Sequence, residues 1–191
     1  MTDVLSVARS EFILGGQKSG KSRRAEMLAR QWLVQSPLHK AVLIATAQPW
    51  DDEMRERIAR HQADRAERVP GMRTLEEPLA LHHAITQSSA QDTLVVVDCL
   101  TLWLTNLLMP AGDARGQPDS SQIDLLLPAI EKSPGPVVLV GNEIGLGVIP
   151  LGRETRAFVD ALGSLNQAVA AACERVTLMA AGLPLGLKGR P

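Results

Sequence analysis

Eight consecutive residues constrain this chain more than any others: Gly15-Gly16-Gln17-Lys18-Ser19-Gly20-Lys21-Ser22. They follow the apolar segment Phe12-Ile13-Leu14. They precede a stretch, 21–34, in which Ala25, Leu28, Ala29 and Trp32 recur at helical spacing. A G-x-x-x-x-G-K-S run between a strand and a helix is a phosphate-binding loop. The glycines let successive backbone N–H groups turn inward onto phosphate oxygens, and the following helix presents its positive N-terminal end. Lys21 adds a point charge for the β- and γ-phosphates, and the Ser22 hydroxyl is a ligand for Mg²⁺. The loop says nucleoside triphosphate and nothing about the acceptor.

The rest of the chain alternates between strand-length apolar runs and helical patterns. The runs are Phe12–Leu14, Ala41–Ala47, Thr93–Val97, Val137–Val140 and Arg175–Met179. Apolar throughout rather than alternating, they read as strands covered on both faces of a parallel sheet. The spacing predicts helices over 21–34, 51–68, 76–87 and 152–173, the third opened by a capping box from Thr74 to Glu77. This order predicts an α/β fold with a mostly parallel, doubly wound sheet. At 191 residues it is expected to be one domain over 1–191, with 1–10 a loosely ordered N-terminal extension. Pro110–Pro118 is a candidate mobile loop.

Composition removes several function classes. Twenty basic and 21 acidic residues leave a formal charge of −1, with no electrostatic excess for a nucleic-acid backbone. Aromatic residues make up 3%, too few for a base-stacking platform. No apolar run approaches membrane-spanning length, and 1–11 has no secretory h-region, so a cytoplasmic protein is expected. Cys99 and Cys173 each lie beside an apolar run and read as buried thiols rather than a disulfide framework.

Two further groups are candidates for chemistry. Asp98 ends the strand TLVVV, at the carboxyl edge where ligands of parallel sheets bind, and is a candidate Mg²⁺ ligand or a helix N-cap. His61 lies in a segment, 51–68, of which 11 of 18 residues are charged, on the same side as Met54 and Ile58. The residues alone leave two readings open: a partly buried histidine closing an amphipathic face, or a nucleophile toward phosphorus.

The motifs taken together resemble one family. After the phosphate loop come Ala45-Thr46-Ala47-Gln48, Asp52-Glu53-Met54, Arg57-Ile58 and His61. Later come Thr74-Leu75-Glu76-Glu77-Pro78, then Asp98-Cys99-Leu100-Thr101 with Trp103, Leu104 and Asn106. Last are Asn142-Glu143-Ile144-Gly145-Leu146-Gly147-Val148-Ile149-Pro150 and Phe158-x-Asp160-x-x-Gly163-x-x-Asn166-Gln167. Over about residues 11 to 188 this is similar to the bifunctional adenosylcobinamide kinase/adenosylcobinamide-phosphate guanylyltransferase family of cobalamin biosynthesis. The expected architecture is then P-loop NTPase-like and RecA-like, with helices on both faces of the sheet.

The resemblance implies two reactions on a corrinoid: γ-phosphoryl transfer from ATP or GTP, then transfer of GMP from GTP through a GMP-histidine intermediate. It assigns the histidine to His61 and catalytic charge to Lys21. It assigns nucleotide contacts to Gly15, Gly16, Gln17, Lys18, Ser19, Gly20, Lys21 and Ser22. Further contacts fall on Thr46, Ala47 and Gln48, on Gln62, Ala63, Asp64 and Arg65, and on Glu76 and Asp98, with Mg²⁺ on Ser22 and Asp98. Glu76 is a candidate guanine reader, since a carboxylate accepts from N–H donors that adenine lacks. The Asn142–Pro150 run is expected to shape the corrinoid or nucleotide pocket, with Asn142 and Glu143 facing in. Arg153 and Arg156 read equally as phosphate contacts or as solvent-facing helix residues. A homotrimer is also implied. Arg60 stands where many members have a second histidine, and Met72 where tryptophan is common. A P-loop kinase of another small alcohol would keep Lys21, Ser22 and Asp98 and leave His61 without a task; a nucleotide-dependent binding module would need no turnover.

Overall fold

The computed structural model describes residues 5–49, 52–109 and 121–189. Seven strands form one sheet in the order β3-β2-β4-β5-β1-β6-β7. They are β1 (Ser10–Gly15), β2 (Lys40–Ala45), β3 (Arg73–Glu76), β4 (Thr93–Asp98), β5 (Val137–Val140), β6 (Arg175–Ala180) and β7 (Leu183–Lys188). Every pairing is parallel except that of β7 with β6. The helices are α1 (Lys21–Gln35), α2 (Asp52–Arg68), α3 (Leu81–Ser88), α4 (Leu100–Leu108), α5 (Ser121–Glu131) and α6 (Arg153–Ala172).

The central strands are buried on both faces, which is why they read as unbroken apolar runs. Successive residues of β4 serve opposite layers. Val95 and Val97 join Phe12, Leu139 and Trp103 in a core under α3 to α6, while Leu94 and Val96 join Ile13, Val138 and Leu28 in a core under α1. Trp103 and Phe12 are fully buried, each contributing roughly 1.5–3 kcal/mol of transfer free energy. Cys99 and Cys173 are buried as expected, and burial pushes their thiols up to about 11 and about 12.

A buried ionic cluster fixes α1 against the sheet. Glu11 on β1 has no exposed surface. Its carboxylate accepts from Arg24 Nε at 2.8 Å, from the Arg175 guanidinium at 3.2 Å and from Thr177 Oγ1 at 2.8 Å. Such a cluster is tolerated inside because its charges are paired and hydrogen-bonded. It joins the first turn of α1 to β1 and β6, and so holds the phosphate loop between them.

The structure departs from the sequence reading in several places. Thr74 and Glu76 belong to the edge strand β3, not to a helix. The expected capping box is absent: Glu77 Oε1 accepts instead from the N–H groups of Leu79 and Ala80, just before α3. Strand β2 ends at Ala45, leaving Thr46–Gln48 as loop. Residues 5–10, read from the sequence as part of a loose extension, are tied down. Val137 N–H donates to Arg9 O, the Arg175 guanidinium donates to Ser6 O at 2.7 Å, and Leu5 and Val7 pack on the α1 core. Helix α5, with Pro128 inside it, and strand β7 were not anticipated. The loop Pro110–Pro118 lies outside the described residues.

Candidate functional site

The phosphate loop leaves β1 at the carboxyl edge of the sheet. Gly15 has φ +151°, and a Cβ there would meet Met179 O at 2.4 Å and Ser19 Oγ at 2.6 Å. Gly20, at φ +103°, is the N-cap of α1. Both positions need glycine for backbone reasons, and together they turn the loop into the helix. Lys21 Nζ donates to Gly16 O at 2.6 Å, lying back across the loop. Burial lowers the Lys21 pKa, while Cys99 and Asp98 hold it up. Ser22 is half-buried in the first turn of α1, and Gly16, Gln17 and Lys18 are exposed.

Asp98 ends β4, separated from β1 by β5 alone. Asp98 pairs with Val140, which pairs in turn with Ile13, so it leaves the sheet at the same carboxyl edge as the phosphate loop. Ser22 and Asp98 offer hard oxygen donors. Among the described residues no group of three or more His, Cys, Asp or Glu gathers to hold a metal. A hydroxyl and one carboxylate fit Mg²⁺, which keeps much of its shell for phosphate oxygens and water.

The second half of α2 leans on α1. Arg68 donates to Glu26 Oε2 at 2.8 Å and to Asp64 Oδ2 at 3.0 Å. Arg65 is half-buried; desolvation lowers its pKa against the opposing pull of Asp98 and Glu26. Positions 61, 65 and 68 follow one helical face, so His61 lies one turn before Arg65 on the face that Arg68 bonds to α1. The His61 ring is exposed rather than partly buried. The side chains of Met54 and Ile58, expected beside it, lie outside the described residues. Ala63 is exposed and brings no polar group.

A cavity of about 140 Å³ opens next to this helix, lined by Ala47, Pro49, Arg55, Ala59, Gln62 and Glu76. Three expected nucleotide contacts thus meet around one hollow, with Gln62 Nε2 donating to Glu76 Oε1 at 3.4 Å. Gln48 is half-buried just beyond Ala47. Thr46 differs from these neighbours. It is fully buried, its hydroxyl donates to Cys99 O and accepts from the Cys99 N–H, and its own N–H donates to Asp98 O. Its side chain is committed to the Asp98–Cys99 segment, not to a ligand.

The Asn142–Pro150 run rises beside the cradle. Gly141 N–H donates to Ile13 O and Glu143 N–H to Gly15 O, while Asn166 Nδ2 donates to Asn142 O. Asn142 and Glu143 are half-buried, and the Glu143 carboxylate turns onto the Gly145 N–H. Beyond them Leu146, Val148, Ile149 and Leu151 are exposed. Arg156 donates to Pro150 O and Leu151 O, bracing this loop; Arg153 is exposed.

Sequence reasoning gave no role to Thr101, Trp103 and Asn106 of α4. The signal was an amide, Asn106, in the largely apolar run Leu100–Leu108. Thr101 Oγ1 accepts from Asn142 N–H, Trp103 Nε1 donates to Leu79 O, and Asn106 Nδ2 donates to Thr46 O and Pro78 O.

Comparisons with known proteins establish the fold and the family. The fold is similar to that of the flagellar accessory protein FlaH from Methanocaldococcus jannaschii (TM-score 0.53, 11% identity, covering 96% of this chain and 80% of that one). With one strand between those of the phosphate loop and Asp98, the sheet is P-loop NTPase-like and RecA-like, as expected. The chain is 49% identical to the bifunctional adenosylcobalamin biosynthesis protein CobP of Pseudomonas aeruginosa over 181 residues, covering 95% of this chain and 98% of the relative. It is 36% identical to the bifunctional adenosylcobalamin biosynthesis protein CobU of Salmonella typhimurium over 187 residues, covering 93% and 98%. The family described as cobinamide kinase / cobinamide phosphate guanyltransferase matches residues 11–187, and the chain belongs to that family.

Proposed function

We propose that this enzyme phosphorylates adenosylcobinamide and then guanylylates the product, giving adenosylcobinamide-GDP. What supports this reading is the family match over residues 11–187 together with α2: Arg68 bonds that helix to α1, which follows the phosphate loop, and His61 is exposed two turns earlier on the same face. In the first reaction the corrinoid hydroxyl oxygen attacks the γ-phosphorus. The bond from that phosphorus to the β–γ bridging oxygen breaks, the nucleoside diphosphate leaves, and the hydroxyl proton passes to solvent. In the second, an imidazole nitrogen of His61 attacks the α-phosphorus of GTP and pyrophosphate leaves. A phosphate oxygen of adenosylcobinamide phosphate then displaces the imidazole, breaking the P–N bond. Splitting one transfer into two is the benefit of a covalent nucleophile.

Lys21 and the loop N–H groups hold the triphosphate and take up charge that develops on it. Ser22 and Asp98 would hold Mg²⁺, which when bound neutralises charge on phosphate oxygens. Incubation with adenosylcobinamide, ATP and GTP tests the reading: mass spectrometry should detect the phosphate and then the GDP ester. Accumulation of the phosphate alone leaves only the kinase.

Glu76 reads guanine in the cavity beside α2. Glu76→Ala is therefore expected to raise the KM for GTP on the order of tenfold, the loss of about one charge-assisted hydrogen bond, and to leave the KM for ATP nearly unchanged. Equal losses remove the base contact.

The apolar loop after Asn142 seats the corrinoid. Its base is bonded to the phosphate loop through Glu143 and Gly15, and its tip exposes Leu146, Val148 and Ile149, an apolar surface for the acceptor. Leu146→Ser with Ile149→Ser is expected to raise the KM for adenosylcobinamide on the order of tenfold through lost apolar contact. Light scattering on the same variant checks assembly. The proposed homotrimer should keep three times the chain mass; dissociation without a change in KM identifies the loop as a subunit contact instead. Dependence on ATP and GTP argues for a cytoplasmic enzyme, which cell fractionation checks.

A further inference from the structure

We infer that Asn106 is a positioning residue that sets guanine selectivity by holding the two walls of the Glu76 cavity together; the inference rests on the base-reading role of that cavity. Asn106 sits on α4, is 3% exposed, and does not line the cavity. One amide nitrogen donates to Thr46 O at 2.8 Å and to Pro78 O at 3.1 Å. Thr46 immediately precedes Ala47, which lines one wall. Pro78 lies two residues after Glu76, which forms the other.

The ends of the two strands are also joined directly: β2 and β3 pair as far as Ala45 and Glu76, and Glu77 N–H donates to Ala45 O. Beyond that ladder, where the two backbones leave the sheet, Asn106 grips Thr46 O and Pro78 O at once, while Trp103 Nε1 holds only Leu79 O. The choice of side chain follows from the chemistry. Two carbonyl oxygens face one group, so that group needs two N–H donors on a single nitrogen, and a primary amide supplies them. An aspartate has the same shape and no such donors, and it sets oxygen against two carbonyl oxygens. Thr46 also carries the Asp98–Cys99 segment on its hydroxyl and N–H. Asn106 therefore fixes Glu76 relative to the carboxylate beside the phosphate cradle, which sets how far base and phosphates stand apart.

Titration calorimetry of the full-length protein with GMP and with AMP tests this. A ratio of dissociation constants does not change when part of a sample is unfolded, so it separates positioning from simple loss of structure. Wild type is expected to prefer GMP. Asn106→Asp should reduce that preference on the order of tenfold, mainly by weakening GMP, as supporting residues behind a site commonly do. If Asn106→Asp does not fold, Asn106→Ser, which is too short to reach both carbonyls, is read in its place. Thr101→Val cuts the bond to Asn142 on the same helix and should leave the ratio unchanged. A ratio unaltered by Asn106→Asp in a protein whose wild type prefers GMP overturns the inference. A wild type without preference overturns the base-reading role of the cavity, and this inference with it.

Discussion

Lys21→Ala is expected to lower both the kinase and the guanylyl transfer rates on the order of a hundredfold to a thousandfold, the usual loss when one preorganised group is removed from a developing anion. The reason is geometric. Lys21 opens α1 directly behind the loop, and its Nζ already lies over the loop backbone at Gly16 O. Burial weakens its hold on a proton, and Cys99 and Asp98 counter that. On the proposed reading both reactions draw on a triphosphate held in this cradle, so both should fall together. The apparent melting temperature is expected to change little, because Lys21 makes one hydrogen bond and the Glu11–Arg24–Arg175 cluster independently anchors α1. Steady-state assays of each half-reaction check this; loss of one activity alone would mean that the two reactions use different phosphate sites.

His61→Asn should behave in the opposite manner. Guanylyl transfer is expected to fall to background, because the replacement has no nitrogen able to carry a phosphoryl group. Phosphorylation of adenosylcobinamide is expected to stay within about a few fold of wild type, because there the corrinoid hydroxyl is the nucleophile and no bond to His61 is formed. The exposure of His61 on α2 favours a folded variant, since an exposed substitution away from caps and packing seldom costs more than about 0.5 kcal/mol. Product analysis in the presence of ATP should therefore show adenosylcobinamide phosphate building up. A variant that loses the kinase as well would tie His61 to the phosphates in both steps.

The parts of this protein written in local sequence were readable. The phosphate loop is eight contiguous residues between a strand and a helix, and β4 and β5 are apolar runs whose ends coincide with the pattern. Other elements depend on distant partners. Strand β3 is four exposed residues that exist because Thr74 and Glu76 pair in register with Leu43 and Ala45. Its Thr-x-x-Glu spacing imitated a helix cap. In β7 the alternation of Leu183, Leu185 and Leu187 is a strand pattern, but Pro184 and Gly186 between them read as breakers. The same contrast holds at the site. Lys21, Ser22 and Asp98 announce themselves by position, whereas the role of Thr46 and Asn106 rests on bonds between residues 28 to 60 positions apart. Spacing carries no trace of such bonds.

The central claim is that His61 carries GMP. Incubation of the wild-type enzyme with GTP labelled at the α-phosphorus, followed by denaturation and peptide mapping, tests it most directly. The account predicts an acid-labile, base-stable label on the peptide containing His61, absent in His61→Asn and discharged by adenosylcobinamide phosphate. Label on another residue, or turnover to adenosylcobinamide-GDP with no labelled protein under single-turnover conditions, would contradict it.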